Sequence, residues 1–166
     1  MIANPFTDPD PIKYKIKAQR IVVTFESTIE ESAFSGCSTL KYINIPKGIS
    51  AIESTIFENC TALLNLDIPE SVKKIEYGAF YGCSSLQSID IHTNVTHIGE
   101  DVFEKCTSLQ SIHISITDIE STIINNDAYK GVDTDNCILH IPPGTRWAYR
   151  HHPVFGKFKN IEIEKQ

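Results

Sequence analysis

At 166 residues, 41% of them hydrophobic and 22% charged, the chain has the length and make-up of one soluble globular domain. Its net charge of −6 and pI near 5.5 argue against nucleic-acid binding, which needs a positive surface to displace counterions. No apolar run approaches the roughly 20 residues that a membrane-spanning helix requires.

The opening stretch sets Pro5, Pro9 and Pro11 among polar residues, a poor start for regular structure. It has neither the basic region nor the apolar region of a signal peptide, so none is predicted in this chain. Ile12 to Lys17 then alternates apolar and basic residues, which predicts an edge strand with its lysines toward water. Ile21 to Phe25, rich in β-branched residues, predicts a second strand. Ile29, Ala33 and Phe34 follow it much as Ile75, Ala79 and Phe80 follow the strand ending at Ile68. Residues 1–33 thus read as an N-terminal cap with an incomplete first coil, the usual state of an end repeat.

From Phe34 the chain repeats. Phe34, Cys37, Leu40, Ile43, Ile45, Ile49 and Ile52 recur 23 residues on as Phe57, Cys60, Leu63, Leu66, Ile68, Val72 and Ile75. The same skeleton returns from Phe80 and again from Phe103. A fixed period in this range marks a stacked-repeat architecture, in which each unit buries its apolar side only against its neighbours. Ile43-Asn-Ile45, Leu66-Asp-Ile68, Ile89-Asp-Ile91 and Ile112-His-Ile114 each predict one short strand per coil, with residues 43 and 45 inward and 42 and 44 outward.

The residue before each repeat cysteine is Gly36, Asn59, Gly82 or Lys105, which predicts a tight turn needing a left-handed backbone. The residue after it is Ser38, Thr61, Ser84 or Thr107, a hydroxyl placed to bond a nearby backbone N–H. Cys37, Cys60, Cys83 and Cys106 would stack at about 4.8 Å per coil, a row too long to surround one zinc ion. They read as a reduced, buried ladder, and Cys137 as an ordinary packed thiol. The four phenylalanines predict a second buried ladder.

The fourth coil departs from the pattern. Ile119-Glu-Ser-Thr-Ile123 echoes Ile52-Glu-Ser-Thr-Ile56, which makes the coil two residues short and places Ile119 where Ile98 stands one coil earlier. Ala128-Tyr129-Lys-Gly131-Val132 copies Ala79-Phe80-Tyr-Gly82-Cys83 between two acidic, amide-rich stretches, and Ile138 to Ile141 reads as a last repeat strand. Repeats therefore span 34–142 of a single 166-residue domain. Residues 143–166 form a C-terminal cap, with a short helix from Thr145 to about His151 whose Trp147 and Tyr149 cover the core, and a closing strand at Asn160 to Ile163.

The run from Cys60 to Phe80, Cys-x-x-Leu-x-x-Leu-x-Ile-Pro-x-x-Val-x-x-Ile-x-x-x-Ala-Phe, resembles the BspA-like (Treponema pallidum-type) leucine-rich repeats, and the likeness extends over Ser27 to Pro142. The resemblance implies an α/β repeat solenoid: a right-handed superhelix with a concave parallel sheet and one short strand per coil. It also implies a non-enzymatic interaction module. Members of that family are commonly secreted or surface proteins of mucosal bacteria, and several are adhesins for host matrix proteins. The missing signal peptide keeps a second reading open, an intracellular scaffold or structural repeat domain.

The outward strand positions form the natural ligand face. Asn44, Asp67, Asp90 and His113 make one row, continued by His140; Tyr42, Asn65, Ser88 and Ser111 make the next. Such a flat, mildly acidic surface suits a protein ligand or a glycan, with Tyr42 as aromatic anchor. Asp67 over Asp90 supplies too few oxygens for calcium, and Asp133, Asp135 and Asn136 lack the EF-hand pattern. The histidines show no metal-ligand spacing, and no nucleophile elbow, P-loop or dinucleotide fingerprint is present. The sequence thus predicts no catalytic residue, no cofactor and no metal.

Overall fold

The structure is a computed structural model that describes residues 19–23 and 29–164. The strand expected at Ile12 to Lys17 lies outside those residues, as does Phe25. Among the described residues there are ten short strands: β1 (Arg20–Val22), β2 (Tyr42–Asn44), β3 (Ala51–Ile52), β4 (Lys74–Ile75), β5 (Ser88–Ile91), β6 (His97–Ile98), β7 (Ser111–Ile114), β8 (Ile123–Ile124), β9 (Ile138–Ile141) and β10 (Asn160–Ile163). The helical content is α1 (Arg146–His151) and one 3₁₀ turn, Phe155–Lys157. All strand pairing is parallel, and successive coils stack as a leucine-rich-repeat solenoid.

Two ladders run along the stack. The long strands pair in the orders β1-β2 and β10-β9-β7-β5, and the two-residue strands pair as β3-β4-β6-β8. The second ladder, on the segment after each coil's first turn, adds to the one strand per coil expected from the alternation. At Leu66 to Ile68 the expected strand does not form, and the long-strand row parts there into two sheets. On this row the coil is joined by Leu64 N–H to the Lys41 carbonyl (3.2 Å) and Gln87 N–H to the Leu64 carbonyl (3.1 Å). Leu66 and Ile68 are nonetheless buried while Asn65 and Asp67 are exposed. The inward side chains hold the coil in place without a full ladder.

One contiguous core fills the stack from Val23 to Ile161. Phe34, Phe57, Phe80 and Phe103 lie ring over ring with centroids 5.6, 5.6 and 5.5 Å apart, and Tyr129 extends the row at 4.9 Å. All four phenylalanines are at most 1% exposed. The centroid spacings with nearly parallel planes describe offset stacking, the arrangement that ring quadrupoles favour.

The cysteine ladder is buried and its thiols are free. Cys60, Cys83 and Cys106 each donate a weak S–H bond to the carbonyl of the phenylalanine one coil back, at 3.1, 3.2 and 3.2 Å. Those carbonyls of Phe34, Phe57 and Phe80 also accept the N–H of Cys37, Cys60 and Cys83. The small sulfur therefore supplies a second donor where a larger or wholly apolar side chain would not. Burial pushes the Cys60 and Cys106 thiols up to about 12 and Cys83 well above the usual thiol range.

The turn before each cysteine is left-handed at all four positions: φ is +73° at Gly36, +56° at Asn59, +71° at Gly82 and +63° at Lys105. Lysine adopts this conformation too, because the neighbouring coils dictate the turn. Of the hydroxyls that follow, Thr61 departs from the expectation. Thr61 Oγ1 donates to the Ser38 carbonyl of the coil before, at 3.5 Å, and does not cap an N–H.

Two sequence expectations near the C-terminus are corrected. Ile123 and Ile124 pair with His97 and Ile98, so Ile124, and not Ile119, holds the Ile98 position. The coil is therefore three residues longer than the 23-residue period, not shorter, and its extra turn buries Ile116 and Ile119. The five-letter echo at Ile119 lost to the geometric requirement that Tyr129 stand on Phe103. Within the cap, Tyr149 is fully buried and donates to the Ile116 carbonyl at 2.8 Å, whereas Trp147 is 67% exposed. Val154, Phe155 and Phe158 close the core in its place. The closing strand β10 forms as expected and pairs with β9.

Truncating the middle of the ring row, Phe80→Ala, should cost about 3–5 kcal/mol and lower the melting temperature by roughly 10 °C. A melt superimposable on wild type would remove the stacked row from its structural role. Native protein treated with iodoacetamide should keep Cys60 and Cys83 unmodified until denaturant is added, as buried thiols of raised pKa require. Rapid alkylation of either in buffer would contradict the packing.

Candidate functional site

The long-strand face collects every residue singled out by the alternation. Register pairs Arg20 with Tyr42 and, farther along, Ser88 with Ser111, Ser111 with Ile138 and Ile138 with Asn160. The parallel row runs Val22–Asn44, then Asp90–His113–His140–Glu162. Asn65 and Asp67 hold the same outward positions in the coil between, without ladder pairing. Tyr42 is 46% exposed; Asn44, Asn65, Asp67 and Asp90 are exposed, while Ser88, Ser111 and His113 are half-buried. Ser88 Oγ donates to Asn65 Oδ1 at 3.4 Å, a link between adjacent coils that leaves the rest of this row open.

The face divides by chemistry. Its N-terminal half is Tyr42 and amides, leading to the carboxylates of Asp67 and Asp90. Its C-terminal half is built around His113 and His140, whose rings stack with centroids 4.1 Å apart and planes within 7°. Glu164 Oε1 accepts from His113 Nδ1 at 3.2 Å; a carboxylate only accepts, so that nitrogen carries the proton. His140 Nδ1 faces Glu162 Oε2 at 3.8 Å. Sequence reasoning reached His113 and His140 but missed both glutamates. The signal was present, since Ile161 and Ile163 alternate and so turn Glu162 outward, but its partner row required the register of β10 on β9.

The acidic loop after Tyr129 folds upon itself. Asp133 Oδ1 accepts from the Asp135 and Asn136 N–H groups, both at 3.2 Å, and Oδ2 accepts from Asn136 Nδ2 at 2.8 Å. The Asn136 side chain first, and these backbone donors after it, hold the Asp133 carboxyl below the usual range. Asp135 pairs with Lys159. These carboxylates are spent on the loop and its junction with β10. Among the described residues no three His, Cys, Asp or Glu side chains are grouped to hold a metal, and no helix is long and apolar enough to cross a membrane. Outside this face, Trp147 stacks on His151 at 4.4 Å on the exposed side of α1.

Comparison with known proteins agrees with this architecture. A profile described as "BspA type Leucine rich repeat region" matches residues 15–136 in six copies. A leucine-rich cell surface protein of Faecalibacterium prausnitzii superposes with a TM-score of 0.50 at 36% identity, covering 51% of this chain and 22% of that one. The leucine-rich repeat protein of T. pallidum gives 0.50 at 24% identity, over 58% of each chain. One from Bacteroides ovatus gives 0.51 at 18% identity, over 88% of this chain and 43% of the other. The last two likenesses show the fold, and the chain spans less than two thirds of the length of each of the three. No curated protein matches it. Leucine-rich repeat proteins are typically protein-interaction modules without catalysis. With six profile copies over most of its length, the chain belongs to the BspA-type leucine-rich repeat family.

Proposed function

We propose that the chain is a non-enzymatic binding module that docks a protein ligand along its long-strand face, at the cell surface or in the extracellular space. The observation that carries this reading is the separation of duties within each coil. Inward positions are uniformly apolar and buried, whereas the outward ones of the same strands change from tyrosine to amide to carboxylate to histidine. Solubility asks only for polarity there; a graded surface with one exposed aromatic provides an anchor and a charge pattern for a partner. The surface location is supported by the 36% identity to a cell surface protein over half of this chain. Adhesion to host matrix proteins is the finer form of the same proposal.

An intracellular scaffold is the second reading, and one observation favours it: all five cysteines are free, as in a reducing compartment. Surface proteolysis of intact cells separates the two, since only a displayed module is shaved.

In a binding assay on immobilised matrix proteins, wild type should be retained. The double variant Tyr42→Ala/Asp67→Ala should lose at least about tenfold in affinity with its melting temperature unchanged, as loss of an aromatic anchor predicts. Equal retention of both proteins would place the ligand elsewhere on the molecule.

A further inference from the structure

The other side of the coils carries a second feature that neither the family nor the long-strand face explains. In the 23-residue register, Ser32, Thr55, Gly78 and Asp101 occupy one position, and all four have left-handed backbones with φ of +60°, +52°, +58° and +54°. Glycine stands at the third coil, so a side chain is missing from the middle of the row. The gap is the floor of a cleft of about 390 Å³ between Thr55 and Asp101, walled by Tyr77 and Tyr81. The adjacent register row supplies the rim: Glu58, Tyr81 and Glu104, with Lys130 after them.

The walls are preorganised. Lys105 lies over the Tyr81 ring, 4.6 Å from its centroid, and bonds its hydroxyl, so that ring is held in place. Lys130 pairs with Glu104 at 3.2 Å, and this lysine holds the Glu104 carboxyl below the usual range. Burial first, then the hydrogen bond with Glu104, push the Asp101 carboxyl upward. Two features remain unsatisfied within the described protein. Tyr77 leaves 51% of its surface to solvent, and the buried Oδ1 of Asp101 has no hydrogen-bond partner.

We propose that this cleft is a saccharide-binding site. Its rim carries both signs of charge, with Glu58 and Glu104 against Lys130, so an anion meets the carboxylates and a cation meets the lysine. A neutral polyol both donates and accepts, and satisfies each wall without an unpaired charge. The Tyr77 ring offers the apolar platform on which the C–H face of a pyranose packs. A ring hydroxyl donates to the Asp101 carboxyl, which lines the end of the cleft. Consecutive coils at about 4.8 Å spacing make the groove long enough for more than one sugar ring. The position is opposite in the coil to the long strands, so a glycan here and a protein ligand there do not compete.

The test uses ¹⁵N-labelled full chain titrated with maltose, lactose or N,N′-diacetylchitobiose to about 10 mM, which nearly saturates a site of about 1 mM Kd, or about −4 kcal/mol. Saturable shifts at the Gly78, Asp101 and Lys130 amides with at least one sugar are expected. Tyr77→Ala, at a half-exposed position, and Asp101→Gly, which keeps the left-handed backbone as Gly78 does, should each weaken binding at least tenfold with melting temperatures near wild type. Tyr42→Ala/Asp67→Ala should leave the shifts intact, which separates this site from the long-strand face. No saturable shift with any of the three sugars, shifts that survive both cleft substitutions, or the same shifts produced by tetramethylammonium chloride in place of sugar would overturn the proposal.

Discussion

Every coil of this chain stands on the one before it, and the contact that carries it is the inward row Phe34, Phe57, Phe80, Phe103 and Tyr129. Phe57, Phe80 and Phe103 each stack on a ring of the coil before and a ring of the coil after. Each loses its exposure to water only when the neighbouring coil places another ring 4.9–5.6 Å away. At roughly 25 cal/mol per Å² of apolar surface removed, one such ring outweighs a typical net hydrogen bond severalfold. The spacing of this row therefore sets the spacing of everything else. The fourth coil demonstrates the rule: it takes three more residues than its predecessors, yet Tyr129 still arrives over Phe103.

The polar details of each coil are subordinate to that stack. Backbone groups at the turns are joined coil to coil, as in Phe57 N–H to the Ala79 carbonyl and Phe80 N–H to the Val102 carbonyl. The thiol row adds a donor to a carbonyl that a purely apolar core would leave with one bond. Positive φ at Asn59, Lys105, Thr55 and Asp101 has the same origin. Residues that avoid this conformation in isolation accept it when two neighbouring coils determine the backbone path.

Because the inside is so fully committed, the outside is free to vary, and it does so on two sides. On the long strands the variation produces a gradient from Tyr42 through Asp67 and Asp90 to the stacked His113–His140 pair. On the opposite turns it produces a single missing side chain at Gly78, with tyrosines and opposed charges around it. One face is broad and flat, as a protein partner requires; the other is a notch of small-molecule size. The same 23-residue period generates both, since it brings residues one coil apart into lateral contact.

Although it did not show the second left-handed row at Ser32, Thr55, Gly78 and Asp101, the sequence alone determined the repeat, its period, the inward rows and the left-handed turn before each repeat cysteine. Each of these depends on local spacing of residue types, which a period of 23 makes visible four times over. It also placed Tyr42, Asn44, Asn65, Asp67, Ser88, Asp90, Ser111 and His113 on one outward face. Tertiary structure decided what no local pattern encodes. It chose Ile124 over Ile119, because ring stacking outranks a short letter match. It turned Trp147 out and Phe155 and Phe158 in, because the last core layer admits side chains by shape. It also brought Glu164 to His113 and opened the cleft above Gly78. Those juxtapositions depend on which residues the stacked coils set side by side, and that is a property of the whole fold.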